Sequence, residues 1–317
     1  MSDQEFKNTK EVELLKPKND IVFQSLFNQN NERITKAFMQ AILEEKIDKI
    51  VINNDKELFR EFPEDKLGIL DLQLDINNNE KIDVEIQLIN NKNLPERLLL
   101  YFSKLYSGQI KRGTDYKKAK RIILVAIIDY DFSVTKNVAN FETIWKLRED
   151  KNFEKILTDK IEIHIIELNK VRNNYIKNKG NEKLQWMLFL DNPNSKEVQE
   201  IMEENEEVKE AIIEVHKMTE DEKLKRLAEL RERAIMDEKA YYDTGWSEGM
   251  EDGRQQGFKE GREEGIEKGI KQGRKEEIER LVKKMIKADI PKEQIAEIAE
   301  ISLEEIGKIE QNINNKN

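Results

Sequence analysis

Cysteine is absent from the 317 residues, and histidine occurs only twice, at His164 and His216. The first absence excludes disulfides, zinc–thiolate sites and a cysteine nucleophile. The second leaves a histidine triad or a histidine-based metal cage poorly supplied. His164 lies in IEIHIIEL, which predicts burial in a strand, and His216 lies in a charged helical stretch, which predicts exposure. No apolar run approaches the roughly 20 residues that cross a bilayer. The start Met1–Lys10 is polar and unlike a secretion signal, so a cytoplasmic protein is expected.

Charge is what the chain has in quantity: 55 Lys and Arg against 65 Asp and Glu, a net charge of −10. With thiols and imidazoles nearly gone, carboxylate and metal chemistry is the readiest enzymatic option. The segment GILDLQLDINNNEKIDVEIQL, 68–88, places carboxylates in a definite pattern. Leu70, Leu72, Leu74 and Ile76 alternate with Ile69, Asp71, Gln73 and Asp75. Ile82, Val84, Ile86 and Leu88 alternate with Asp83, Glu85 and Gln87. A period of two puts each set on its own face of a strand. Directly opposed residues in a hairpin point the same way, so Asp71 opposite Glu85 is allowed, with a loop centred on Asn78, and Asp71 opposite Ile86 is not.

Asp71, Glu85 and Gln87 on one sheet face would suit a hard divalent cation. Magnesium takes oxygen ligands, keeps several waters and needs only one or two protein carboxylates. Held this way it lowers the pKa of a bound water and stabilises charge on a phosphodiester. An amphipathic hairpin with a charged solvent face is the plainer alternative.

An Asp on one strand followed by Glu-x-Lys or Glu-x-Gln on the next resembles the active site of the PD-(D/E)XK nucleases. The wider pattern resembles one branch, the Rpn recombination-promoting nucleases, also described as PD-(D/E)XK family transposases. The resemblance rests on KPKNDIVFQSLF from Lys16, the GILD and VEIQ strands, and RLLLYFSKLYSGQIKRGTDY from Arg97 to Tyr116. It implies an α/β fold, a restriction-endonuclease-like mixed sheet flanked by helices, followed by an extended all-helical C-terminal region. It also implies magnesium, with manganese or calcium as substitutes, DNA as partner and substrate, and a role in recombination or mobile elements. Asp71 and Glu85 match the metal ligands. Gln87 stands where many superfamily members carry Lys; an amide orients water by hydrogen bonds and carries no charge, so more of the water's activation falls to the metal. Asp20 matches the acidic residue of the family's first helix, and it also suits a helix N-cap.

Net negative charge argues against wrapping nucleic acid, but phosphates respond to local cations. Lys104, Lys111, Arg112, Lys117, Lys118, Lys120 and Arg121 form such a patch, opposed there only by Asp115, with Tyr101, Tyr106 and Tyr116 interleaved. They are expected along the helix that follows the two acidic strands. A solvated helix end with ordinary core tyrosines is the alternative.

Residues 1–15 read as a flexible start and 16–170 as the nuclease-like domain. Helices are expected at Asp20–Phe27, Asn31–Glu44 and Pro95–Arg112, the last ended by Gly113. Strands are expected at Asp48–Asn53, in the two arms of 68–88, from Arg121 and from Ile161, with Glu57–Lys66 a polar connection. The run from Arg121 is apolar throughout and suits a central strand covered on both faces. Residues 171–244 read as linker and helices, with QWMLFL from Gln185 anchoring them to the core.

In the span 245–275, glycine recurs every fourth residue: Gly245, Gly249, Gly253, Gly257, Gly261, Gly265, Gly269 and Gly273. On a helix they form a slowly spiralling groove. Each interior glycine costs about 1 kcal/mol against alanine, so a closely packed second helix is expected, most simply that of another copy. A segment of low stability is the alternative. The charges Glu248, Glu251, Asp252, Arg254, Glu260 and Glu264 exclude a membrane dimer motif. The tail 276–317 reads as three short helices, with Pro291 opening the second and a Ser302–Glu305 capping box on the third. Glu304, Glu305 and Glu310 there suit protein contact better than a phosphate-lined groove. A non-catalytic assembly protein on a degenerate nuclease fold is the rival reading; burial of Asp71 or Glu85 in a salt bridge would favour it.

Overall fold

The computed structural model describes residues 12–53, 71–77, 80–90, 93–113 and 115–314. The expected connection Glu57–Lys66, the residues 68–70 of the first hairpin arm, the loop centre Asn78 and residues 1–11 lie outside the described residues. The chain divides into two compact units, one up to Tyr242 and one from Asp243.

The first unit is built on six strands: β1 (Ile50–Asn53), β2 (Leu72–Ile76), β3 (Glu80–Gln87), β4 (Arg121–Ile128), β5 (Glu142–Trp145) and β6 (Ile161–Glu167). Their order across the sheet is β1-β2-β3-β4-β6-β5. The first three are antiparallel neighbours, β3, β4 and β6 are parallel, and β5 returns antiparallel to β6. Pairing of Leu72 with Val84 gives the register expected from the alternation, because one step further along it sets Asp71 against Glu85. The strand β5 was not anticipated; it is short, half-exposed and lacks a long apolar run.

Parallel pairing of β3 and β4 requires a crossover, and α3 (Leu94–Ser107) supplies it. Leu94, Leu98, Tyr101 and Leu105 recur on one stripe of α3 and pack with Ile122, Leu124, Ala126 and Ile128 of β4. The helix ends at Ser107, short of the expected Arg112. The Gln109 side chain accepts from the Lys120 amide at 2.8 Å and ties the chain to the start of β4. Gly113 takes φ +86° in the turn beyond, a backbone conformation glycine adopts at no steric cost.

The other sheet face carries α1 (Asp20–Leu26), α2 (Glu32–Leu43), α4 (Leu168–Tyr175), α5 (Glu182–Asp191), α6 (Lys196–Glu204) and α7 (Glu206–Glu220). Phe23, Phe27, Phe38, Trp186 and Phe189 form its aromatic centre. Trp186 to Leu190 are buried, as an anchor requires. The core does not stop near residue 170, since Val198, Ile201, Val208, Ile212, Val215 and Ala228 belong to it. Nor is all of the start loose: the amides of Leu14 and Leu15 donate to Asn194 and Thr219. His164 is buried, and His216 is largely buried as well, against expectation, because α7 turns that face toward the core.

The division between the units falls within α8 (Glu222–Lys287). In the second unit Val282, Ile295 and Ile306 make a small core with α9 (Lys292–Ala299) and α10 (Leu303–Asn314). Ser302 and Glu305 form the expected reciprocal cap. The eight repeat glycines lie on α8, and beyond the chain neighbours and the helix's own backbone a Cβ at any of them would meet no atom of the described residues within 4 Å. Among the described residues, no helix is long and apolar enough to cross a membrane.

Candidate active site

In antiparallel β2 and β3 a period of two carries Leu72, Leu74, Ile82 and Val84 into the larger core. The same alternation sends Asp83, Glu85 and Gln87 to the face covered by α3. That face is not open to solvent: Asp83, Glu85 and Gln87 are 1%, 4% and 8% exposed. The crossover brings the first turn of α3 back over the carboxyl end of β3, where Arg97 meets them. Its Nη2 donates to both Glu85 oxygens at 3.1 and 3.2 Å, and its Nη1 donates to Gln87 Oε1 at 3.0 Å. The Gln87 amide nitrogen donates to the Ile89 carbonyl. Tyr101, one turn on, accepts from Arg97 and lies under the guanidinium, 5.6 Å from ring centroid to Cζ.

Asp71 enters at the foot of β2. Its Oδ2 accepts from the Ile86 amide at 2.8 Å, and its Oδ1 accepts from Gln24 at 3.1 Å. Gln24 lies one helical turn after Asp20, so both face the same way. Asn19, not Asp20, is the N-cap of α1: its side chain accepts from the Ile21 amide. Asp20 accepts a bifurcated hydrogen bond from Arg231 of α8, Nε to Oδ1 and Oδ2 at 3.0 and 2.8 Å. Lys18 bridges Asp129, just past β4, and Asp191. An open cleft of about 370 Å³ unites these parts, lined by Asp20, Asp71, Glu85, Gln87, Arg97 and Arg231 among others. It lies at the carboxyl ends of parallel strands, where open α/β sheets bind ligands.

Electrostatics mark this cleft. Burial, with the neighbouring charge of Asp71 added, outweighs Arg97 and pushes the Glu85 carboxyl up to about 7. Burial drives Asp83 well above its ordinary value, and Glu85 and Asp71 push the same way. Among the described residues, neither of the buried Asp83 oxygens has a hydrogen-bond partner. Burial beside Glu85 likewise holds the Tyr101 hydroxyl up at about 12. Positive charge is therefore in deficit, and the donor set is oxygen: the residues fit a hard divalent cation. Among the described residues no three Asp, Glu or His side chains form a ready cage, but magnesium needs only one or two carboxylates. Asp71 and Glu85 are the pair that would hold it.

The basic patch does not reach this cleft. Arg121 pairs in register with Glu80, and Ile128 with Gln87, so the Arg121 end of the patch stands roughly 23 Å away along the strands, while Lys104 lies roughly 10 Å along α3 from Arg97. Arg121 is engaged by Glu80 and Glu162, and Lys120 by Asp75. Lys111, Arg112, Tyr116, Lys117 and Lys118 are exposed and Lys104 is half-buried. Tyr101 is internal and Tyr106 stacks on Phe102.

Three cations of the cleft were not anticipated. Arg97 opens the quoted RLLLYF stretch, and its i, i+4 spacing to Tyr101 was the available signal. Arg231 and Lys18 had none. Alternation places Asp83 on the face of Glu85 and Gln87 but carries no sign of its burial. A family model described as PD-(D/E)XK nuclease family transposase matches residues 17–245. No curated protein and no solved structure matches the chain.

Proposed function

The chain belongs to the PD-(D/E)XK nuclease family transposases, and on that premise we propose that it is a magnesium-dependent DNA endonuclease acting in the cytoplasm. The family gives a nuclease fold and a link to mobile elements. One observation carries the finer reading: Asp20, Asp71, Glu85 and Gln87, from three separate segments, line one cleft in which burial outweighs Arg97 and holds the Glu85 carboxyl up at about 7.

When bound, the cation supplies an acidified water and neutralises charge developing on a phosphodiester. Asp71 is oriented for this by the Ile86 amide and Gln24, which fix its carboxylate against the end of β3. Glu85, buried beneath α3, offers a carboxylate held out of bulk water. Gln87 orients the attacking water through its amide, once its contact with Arg97 is exchanged. Asp20 lines the same cleft. Manganese and calcium are the substitutes this oxygen set would accept.

The buried Glu85–Arg97 salt bridge supports a second reading, in which the fold is a non-catalytic assembly module. Cleavage of supercoiled plasmid with magnesium, manganese or EDTA separates the two. Metal-dependent nicking that disappears in Asp71→Ala and Glu85→Ala supports the nuclease. Folded wild type that never cuts, in any of the three conditions, leaves the assembly module.

The glycine repeat of α8 supports self-association in either case. Its eight glycines are open, and Trp246, Met250, Phe258, Ile266 and Ile270 on the same helix are exposed. A chain that sediments as a monomer at micromolar concentration would sink that part of the reading.

A further inference from the structure

Each carboxylate that the nuclease reading needs at Glu85 and Asp20 is already held by an arginine. Arg97 spans both oxygens of Glu85, and Arg231 spans both oxygens of Asp20. A guanidinium seated across both oxygens sets its own positive charge where a cation would bind, unlike the neutral Ile86 amide and Gln24 donors on Asp71, so metal entry has to move the guanidinium groups. A displaced guanidinium in a cleft walled by carboxylates needs a new anion. A phosphodiester is that anion, since the planar fork of arginine matches two phosphate oxygens.

Both arginines line the open cleft. Arg97 is pivoted by Tyr101, which accepts from Nε at 3.3 Å and from Nη2 at 3.1 Å, and its side chain is 30% exposed toward the cleft. Arg231 is 41% exposed. Its helix is pinned at Ala228, whose carbonyl accepts from the Asn19 side chain at 3.1 Å, beside Asp20 itself. The backbone of each arginine is thus fixed while its head group remains at the open side of the cleft.

We propose that Arg97 and Arg231 are the residues that receive the nucleic-acid phosphate, held on Glu85 and Asp20 until a divalent cation and the phosphate enter the cleft together. This rests on the nuclease reading above. The cation takes the carboxylates and the phosphate takes the arginines, so neither ligand alone leaves the site balanced. Metal and DNA therefore bind with positive coupling, and linkage makes that coupling equal in both directions.

Calorimetric titration of the full chain with calcium, in alkaline buffer, with and without a short DNA duplex, tests this without relying on turnover. In wild type the duplex tightens calcium binding, roughly 5- to 150-fold. In Arg97→Gln, calcium alone binds about tenfold more tightly than in wild type, because a charge-assisted competitor has gone, and the duplex adds little. Arg97→Lys keeps the positive charge on Glu85 and the fold, but loses the fork and with it most of the coupling. Arg231→Gln, at a half-exposed position, weakens duplex binding and reduces the coupling. A merely structural arginine would not tighten metal binding when removed. Wild-type coupling and affinity retained in both Arg97 variants overturn the assignment alone. Wild type that binds no calcium, with or without duplex, overturns the nuclease reading and the assignment with it.

Discussion

At the carboxyl ends of β3 and β4, Asp71, Asp83 and Glu85 gather around Arg97; spread over β3, β4, β6 and β5, Glu80, Glu162 and Glu142 gather around Arg121, Lys146, Lys183 and His164. Both groups are buried, and both lie on one sheet. In the second, His164 contacts Glu142 and Glu162 through its two ring nitrogens at 2.8 Å each, Lys183 bridges Glu142, and Arg121 and Lys146 hold Glu162. Burial opposes the Glu162 charge, yet the bonds from Lys146, Arg121 and His164 outweigh it and pull the carboxyl down to about 2. In the first, burial wins and Glu85 rises to about 7. The same residue type on β3 and on β6 of one sheet is shifted in opposite directions by its supply of cations. A matched network serves the fold. An unmatched one, opening on a cleft, is where chemistry is to be sought.

The strongest test of this contrast is Glu162→Gln. Removing one member of a matched buried network strands its cations, and a loss of about 4 kcal/mol in urea unfolding is expected. A loss below about 1 kcal/mol would place the network among weak surface pairs.

The pH dependence follows next in size. Glu85 has its folded pKa raised from 4.5 to about 7. Its contribution to stability is full below 4.5 and is lost as pH rises through about 7. The difference in unfolding free energy between wild type and Glu85→Gln therefore shifts against wild type by up to about 3 kcal/mol across that window. Glu162 has the opposite sign: its contribution is present above 4.5 and is lost as pH falls toward 2. A flat Glu85 difference from pH 4.5 to 8 would mean that Arg97 already balances the cleft.

Asp83→Asn is the smallest effect and has the opposite sign to Glu162→Gln. It removes a buried carboxyl that no group bonds, keeps its shape, and is expected to be neutral or to stabilise by about 1 kcal/mol above pH 7. A loss of several kcal/mol would show that Asp83 is matched after all.

Much of this sheet was legible because strand periodicity is local. Alternation alone set Leu72 and Val84 on one face and paired Asp71 with Glu85, and the unbroken apolar run from Arg121 marked a strand buried on both sides, as β4 is. The edge strand β5 was not legible: four half-exposed residues carry too little pattern to distinguish a strand from a loop. The glycine spacing predicted a helix, and α8 is one. The basic patch shows the opposite failure. Its cations adjoin the acidic strands in sequence, but a crossover returns the chain to the starting end of the next parallel strand, and so carries them to the far end of the sheet.

By itself the sequence determined the chemistry that was excluded, the strand faces, the parity of the hairpin register and the carboxylates on offer, because each depends on composition or on neighbours two to four residues apart. Only the tertiary structure decided that the acidic face is roofed by α3, that Arg97 sits on Glu85, and that Arg231 reaches Asp20 across 211 residues. Those contacts are made by helices packing on a sheet. Their partners are chosen by the path of the crossovers, which no local period encodes.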